Sequence, residues 1–305
     1  MDPITDVLMA MRVESVVHGR LEATAPWALR AETGPHAKFC MVSRGTCWLT
    51  LEESPEPILL AGGDFFLLAS GSSYTLGDSP YTPARNFAEI LQENKCDLIH
   101  YGGGGAPTTV IGGKFMFDET NGKPLTDLLP PLIHVRADMA RTLSLETTLK
   151  LLTSETAMPT PGSQLVINRL ADILFIQAIR AHLTSEAGPR TGWLRALADQ
   201  QIGIALRSMH EGIEQPWTVA TLASQAGMSR SAFALHFKNL VGESPLEYLT
   251  RWRMYKASRL LRESDKKLVD VAKQVGYDSD GAFNKAFKRV LNVAPGEYRR
   301  NGAGR

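Results

Sequence analysis

The 305-residue chain has no uninterrupted apolar run near the roughly 20 residues that cross a bilayer, so no membrane-spanning helix is expected. Only three cysteines are present, Cys40, Cys47 and Cys96, an odd number that does not suit a disulfide framework. The first residues, Met1 to Arg12, read as an amphipathic helix carrying Asp2 and Asp6. They lack the basic start, apolar core and small-residue cleavage site of an export leader, so a cytoplasmic protein is expected. Gly102 to Gly105 is followed by Ala106-Pro107 and lacks the lysine and Ser/Thr of a phosphate-cradling loop, so it reads as a flexible loop at a barrel edge.

Charge of one sign is also missing overall, with a net charge of +1, but the two ends differ. From Trp217 to Arg300 there are 15 Lys or Arg against 8 Asp or Glu. A mildly acidic front of about −7 therefore precedes a basic back of about +7, the balance expected of a segment that meets an anionic polymer.

The basic segment is an internal repeat. Ala223, Gly227, Phe233, Phe237, Lys238, Pro245 and Tyr248 match Ala272, Gly276, Phe283, Phe287, Lys288, Pro295 and Tyr298. The offset is 49 residues up to the glycine and 50 after it, so the extra residue lies in the turn and the flanking helices keep their register. Each copy reads as a helix, a glycine turn and a second helix. Thr218 and Ser229 are the expected caps in the first copy, and Asp278 or Ser279 in the second. Phe233 and Phe237 face inward, which leaves Arg230, Ser231, Ala234, Leu235 and Lys238 outside; in the second copy Asp280, Gly281, Asn284, Lys285 and Lys288 are outside. Pro245 to Arg262 is the helix between the copies, and Trp193 to His210 is expected as one helix leading into them.

Upstream, residues from about Ala25 to Ala106 are β-rich. Lys38 to Ser43, Thr46 to Leu51, Pro57 to Leu60 and Asp64 to Leu68 are short strands broken by turn residues, as in an antiparallel barrel or jelly roll. Trp27, Phe39, Trp48, Phe66 and Tyr74 are candidate walls of a ligand pocket in that barrel. Leu125 to Leu183 is helical, with helices over Leu143 to Leu152 and Leu165 to Leu183; the second is apolar on more than one face and needs partners on both sides, a second copy of the chain among them. Ser185 to Arg190 reads as a linker.

Residues from about Ile202 to Arg300, with both motif copies, the connecting helix and the ending Pro295, Tyr298, Arg299 and Arg300, resemble the DNA-binding domain of AraC/XylS-type transcriptional regulators. The segment from Gly63 to Tyr74, with Phe39 to Gly45 and Pro26-Trp27, resembles the cupin sensor domain of certain members. The resemblance implies an α+β chain with a cupin-like barrel over 1–124, a helical connector and possible dimerisation region over 125–190, and an all-α domain with two helix-turn-helix motifs over 191–305. It also implies sequence-specific binding of double-stranded promoter DNA, recruitment of RNA polymerase and a small-molecule effector; a homodimer is expected because two half-sites multiply affinity through effective concentration. The family pattern places groove contacts at Ser231, Ala234 and Leu235. Asn284 suits adenine and Lys285 guanine, and Lys238, Lys288, Arg251 and Arg289 are expected on phosphates.

Two other classes have to be weighed. Metal-binding cupins present three histidines and a carboxylate, whereas here Tyr74 holds the second-motif position and only His36, Cys40 and His100 are near, so no metal, cofactor or catalysis is expected. A redox-sensing regulator would use Cys96, the one cysteine with a basic neighbour, Lys95.

Overall fold

The computed structural model describes residues 3–11, 13–32, 34, 36–52, 54–69, 72–94, 98–117, 129–138, 145–184 and 192–302. Cys96, Lys95 and the 185–190 linker lie outside the described residues. The chain forms two compact units: 13–117 with 130–188, and 1–12 with 118–129 and 189–305.

The first of these is the barrel. Its larger sheet runs β11 (Leu132–Val135), β6 (Phe65–Leu68), β3 (Ala37–Arg44), β10 (Pro107–Met116), β1 (Glu14–Thr24) and β9 (Leu98–Gly102). The smaller runs β5 (Ser54–Ala61), β4 (Thr46–Leu51), β7 (Tyr74–Gly77), β2 (Ala28–Ala31) and β8 (Arg85–Asn86). A short helix, α2 (Phe87–Glu93), follows β8. The expected strands are present, but the barrel is larger than the span from Ala25 to Ala106. β1 and β10 pair along their length with a bulge between Val17 and Gly19, and that bulge, with Gly112 and Gly113 opposite, breaks the alternation by which strands are recognised.

Two helices cover the outer face of the larger sheet. α3 (Leu145–Ala157) and α4 (Ser163–Thr184) pack on each other, and both contact β1. Phe39 lies 4.6 Å from Phe115, and Phe115 lies 4.7 Å from Phe175 of α4. This layer explains why β3 and β6 are buried on both faces. Gly102 to Gly105 is an exposed turn lying against the Thr24–Ala25 corner. A Cβ on Gly102 would lie 1.9 Å from the Thr24 carbonyl, and the Gly103 and Gly105 amides donate to Thr24 and Ala25.

The second unit is helical. The expected single helix from Trp193 to His210 is two, α5 (Trp193–Ala198) and α6 (Ile202–Glu211), because the Asp199 carboxylate accepts from the amides of Gln201 and Ile202 and starts the chain anew. The repeat then gives α7 (Val219–Gln225), α8 (Arg230–Val241), α9 (Pro245–Glu263), α10 (Leu268–Gln274), α11 (Asp280–Leu291) and α12 (Pro295–Gly302). Thr218, Ser229 and Ser279 are the N-caps. The turn glycines, Gly227 at φ 65° and Gly276 at φ 78°, occupy the left-handed region that side chains disfavour.

The N-terminal helix α1 (Pro3–Met11) packs on α6 and α9 within this unit. Asp6 lies 3.3 Å from Nδ1 of buried His210, Nε2 of His210 lies 2.7 Å from the Tyr248 hydroxyl, and the Trp193 indole donates to that hydroxyl at 2.8 Å. Every group is satisfied if Tyr248 donates to a neutral imidazole and Nδ1–H donates to Asp6. Burial accordingly holds the His210 pKa below its ordinary value against the pull of Asp6.

Candidate nucleic-acid interface and barrel cavity

The two second helices of the repeat are built alike and dressed differently. In α8, Phe233 and Phe237 are fully buried, while Arg230, Ser231, Leu235 and Lys238 are exposed and Ala234 is half-buried. Leu235 keeps 63% of its surface in solvent, an apolar side chain held outward on a helix whose other face is anchored. In α11, Phe283, Ala286, Phe287 and Leu291 are buried. Asp280, Gly281, Asn284, Lys285, Lys288 and Arg289 are exposed. The spacing of these outer residues puts an amide and three cations on one side of a helix whose opposite side is core.

The connecting helix α9 has 19 residues, so at about 1.5 Å per residue it is roughly 28 Å long. Ser244 and Glu247 close its N-terminus as a capping box. Arg251 departs from the expected phosphate contact. It is half-buried, ion-paired to Glu243 and stacked over the rings of Tyr248 and Tyr255 at 5.5 and 5.9 Å, and so it braces α9. Arg253 does a related job, donating to the carbonyls of Ile213 and Gln215 at 2.9 and 2.6 Å and lying over Tyr277.

The barrel unit encloses a cavity of about 260 Å³. Of the five aromatics expected to line it, only Tyr74 does. Side chains alternate along a strand, so Lys38 and Cys40 face the cavity while Phe39 faces the helices. Cys47 and Leu49 likewise join the core and put Trp48 on the other face. Trp27 and Phe66 are core residues; Phe66 packs edge-on against Tyr74 at 5.6 Å from outside the lining. The lining that was missed is basic: Lys38 and Lys114 supply cations, beside His18, whose pKa is lowered by burial and then by those two lysines. Its signal in the sequence was a charge set into an otherwise apolar strand, as at Lys38 beside Phe39 to Val42.

Cys40 contacts the Tyr74 hydroxyl at 3.5 Å. Burial pushes the Cys40 thiol up to about 11 and the Cys47 thiol up to about 12, so both stay protonated and poorly nucleophilic near neutral pH. His36 also lines the cavity, but His100 pairs with Glu22 at 3.6 Å and is absent from the lining. Among the described residues no three His, Cys, Asp or Glu side chains converge as a metal requires. No described helix is long and apolar enough to cross a membrane.

Comparison with known proteins agrees with both halves. The cupin family profile matches residues 2–184, and a helix-turn-helix domain profile matches residues 222–301. A Streptomyces lividans protein carrying the name AraC-like transcription regulator is 39% identical over 301 residues, 99% of each chain. The HTH-type transcriptional regulator AlkR of Acinetobacter baylyi is 29% identical over 98% of this chain and 99% of its own. Among solved structures, the DNA-binding domain of AdpA in complex with a target DNA is 33% identical, covering 34% of this chain and 93% of that one at a TM-score of 0.33. With an α+β fold that joins a cupin domain to two helix-turn-helix motifs, the chain belongs to the AraC-like DNA-binding transcription regulators.

Proposed function

We propose that the chain reads operator DNA through α8 and α11 and that the barrel cavity holds the effector that governs this reading. The observation that carries the proposal is the outer face of α11, where Asn284 and Lys285 stand exposed over a fully buried aromatic base. Asn284 suits adenine and Lys285 guanine in the major groove. Lys238, Lys288 and Arg289 hold phosphates, Arg230 and Asp280 flank the helix starts, and Ser231, Ala234 and Leu235 meet shape and thymine methyl groups. The unit of 13–117 with 130–188 does the sensing, and the unit of 1–12 with 118–129 and 189–305 binds DNA.

The protein acts in the cytoplasm as a homodimer, without catalysis, and bears on RNA polymerase at the promoter. Leu165, Val166 and Ile173, exposed along α4, support the dimer, and two half-sites gain affinity through effective concentration. An effector works only if it binds the DNA-competent and incompetent states unequally.

The test is DNA binding by the full chain against salt, with and without cell extract. Affinity falling steeply with salt and changing with extract supports the reading. A flat salt dependence contradicts the interface, and an extract effect that survives the cavity-filling Leu91→Trp contradicts the cavity as effector site.

A further inference from the structure

We propose that His236 is a positioning residue: its bond to Asp199 fixes the roll of α8 about its own axis and so aims Leu235 at the DNA. This rests on the reading of α8 as a groove helix and adds what sets its angle.

α8 is held from two directions. Phe233 and Phe237 anchor one side in the core, where the Phe237 ring meets that of Tyr248 at 5.8 Å. On a second side, which packs on α5, His236 Nε2 lies 3.2 Å from Asp199 Oδ2. One turn further on, the Leu240 carbonyl accepts from the Gly192 amide at 2.8 Å. The Asp199 carboxylate thus divides its work: Oδ1 caps α6 by accepting from the amides of Gln201 and Ile202, and Oδ2 takes His236. A carboxylate only accepts, so His236 Nε2 carries the hydrogen. Burial alone would raise the Asp199 pKa, but the Ile202 amide, His236 and the Gln201 amide together hold it below its ordinary value, which keeps the acceptor ionised at neutral pH.

The aromatic anchor alone leaves the helix one soft motion, a roll about the line of Phe233 and Phe237. With 3.6 residues per turn, consecutive residues are about 100° apart, so Leu235 and His236 are neighbours around the axis and tying one sets the direction of the other. The two side chains keep 38% and 22% of their surface in solvent, and an ion pair so placed adds little to stability. Its consequence is orientation. The second motif is built otherwise: the 50-residue offset puts Ala286 at the position of His236, and Ala286 is buried and can form no such bond. Packing sets the angle of α11, whereas a polar latch sets that of α8.

The test is a double-mutant cycle, read as the affinity of the full chain for a duplex that it selects from a random pool, at one salt concentration. Leu235→Ala alone is expected to weaken binding about threefold, and in the His236→Leu background, where the donor is lost, that loss should nearly vanish. His236→Gln keeps an N–H donor and should restore the threefold loss. Both substitutions place good helix formers at a half-exposed site and leave the Asp199 cap of α6 in place, so the fold is retained. An equal cost of Leu235→Ala in the His236→Leu and unchanged backgrounds overturns the proposal, as does a His236→Gln chain that behaves like His236→Leu. Failure of the underlying reading looks different: Leu235→Ala and Lys238→Ala then both bind like the unchanged chain, and the positioning role falls with it.

Discussion

The two helix-turn-helix motifs share one plan and differ in what surrounds it. Gly227 turns the first motif in open space: a Cβ there meets nothing within 4 Å. Gly276 turns the second against packed neighbours, where a Cβ would lie 2.7 Å from the Glu214 carbonyl and 2.6 Å from the Arg253 guanidinium. The matched tyrosines diverge as well. Tyr248 carries the His210 and Trp193 hydrogen bonds, whereas Tyr298 packs at 5.5 Å from Phe287 under the Arg262 guanidinium at 4.6 Å. A duplicated motif thus keeps its backbone requirement and loses equivalence wherever neighbours or ligands touch it.

The largest break in the symmetry should come from the glycines. Gly227→Ala costs roughly 1–2 kcal/mol for a left-handed residue. Gly276→Ala adds an overpacking cost of about 1–3 kcal/mol because one neighbour is backbone. Urea unfolding of the two variants measures the gap, and equal losses would show that the second turn relaxes freely.

Next in size is base reading. Lys285→Ala should remove about 1–3 kcal/mol of preference at one base pair. Uniform weakening on every sequence would reassign Lys285 to phosphate.

Helix capping gives a smaller contrast. The Thr218 side chain accepts from the Thr221 amide, so Thr218→Ala should destabilise by about 1 kcal/mol. The second motif starts at Lys267 with no side-chain cap, and Lys267→Ser should recover up to about 1 kcal/mol there. Thermal melts of both variants check the sign.

The smallest effect is a pH dependence belonging to the first motif alone. The folded pKa of His210 lies below the ordinary value of 6.5. The unfolded chain therefore binds more protons as pH falls through about 6.5, and stability drops until the folded pKa is passed. Denaturation at neutral pH and below 6 should show this loss, and His210→Gln should lessen it.

How much of this was legible depended on whether one periodicity ruled locally. The repeat was, because Phe233, Phe237, Phe283 and Phe287 lie at helical spacing with caps and turn glycines in register. β1 and β10 were not, because the bulge at Gly19 and the pair Gly112-Gly113 interrupt the alternation of a strand. Aromatic character alone does not mark the cavity lining, because Phe39 and Trp48 share their strand faces with neighbours that point away from it. Lys38 and Cys40 share one face of β3, and that face is the cavity. Asp199 split a helix through a carboxylate cap that apolar spacing does not reveal.

The central claim is that the motifs read DNA unequally, α11 through polar base contacts and α8 through shape and methyl groups. It is tested most directly by selecting bound duplexes from a random pool with the full chain and with Lys285→Ala and Leu235→Ala. The account predicts that Lys285→Ala erases the preference at one position of one half-site, while Leu235→Ala leaves the consensus and lowers affinity modestly. Loss of a strict base preference in Leu235→Ala, with the Lys285→Ala consensus intact, would contradict it.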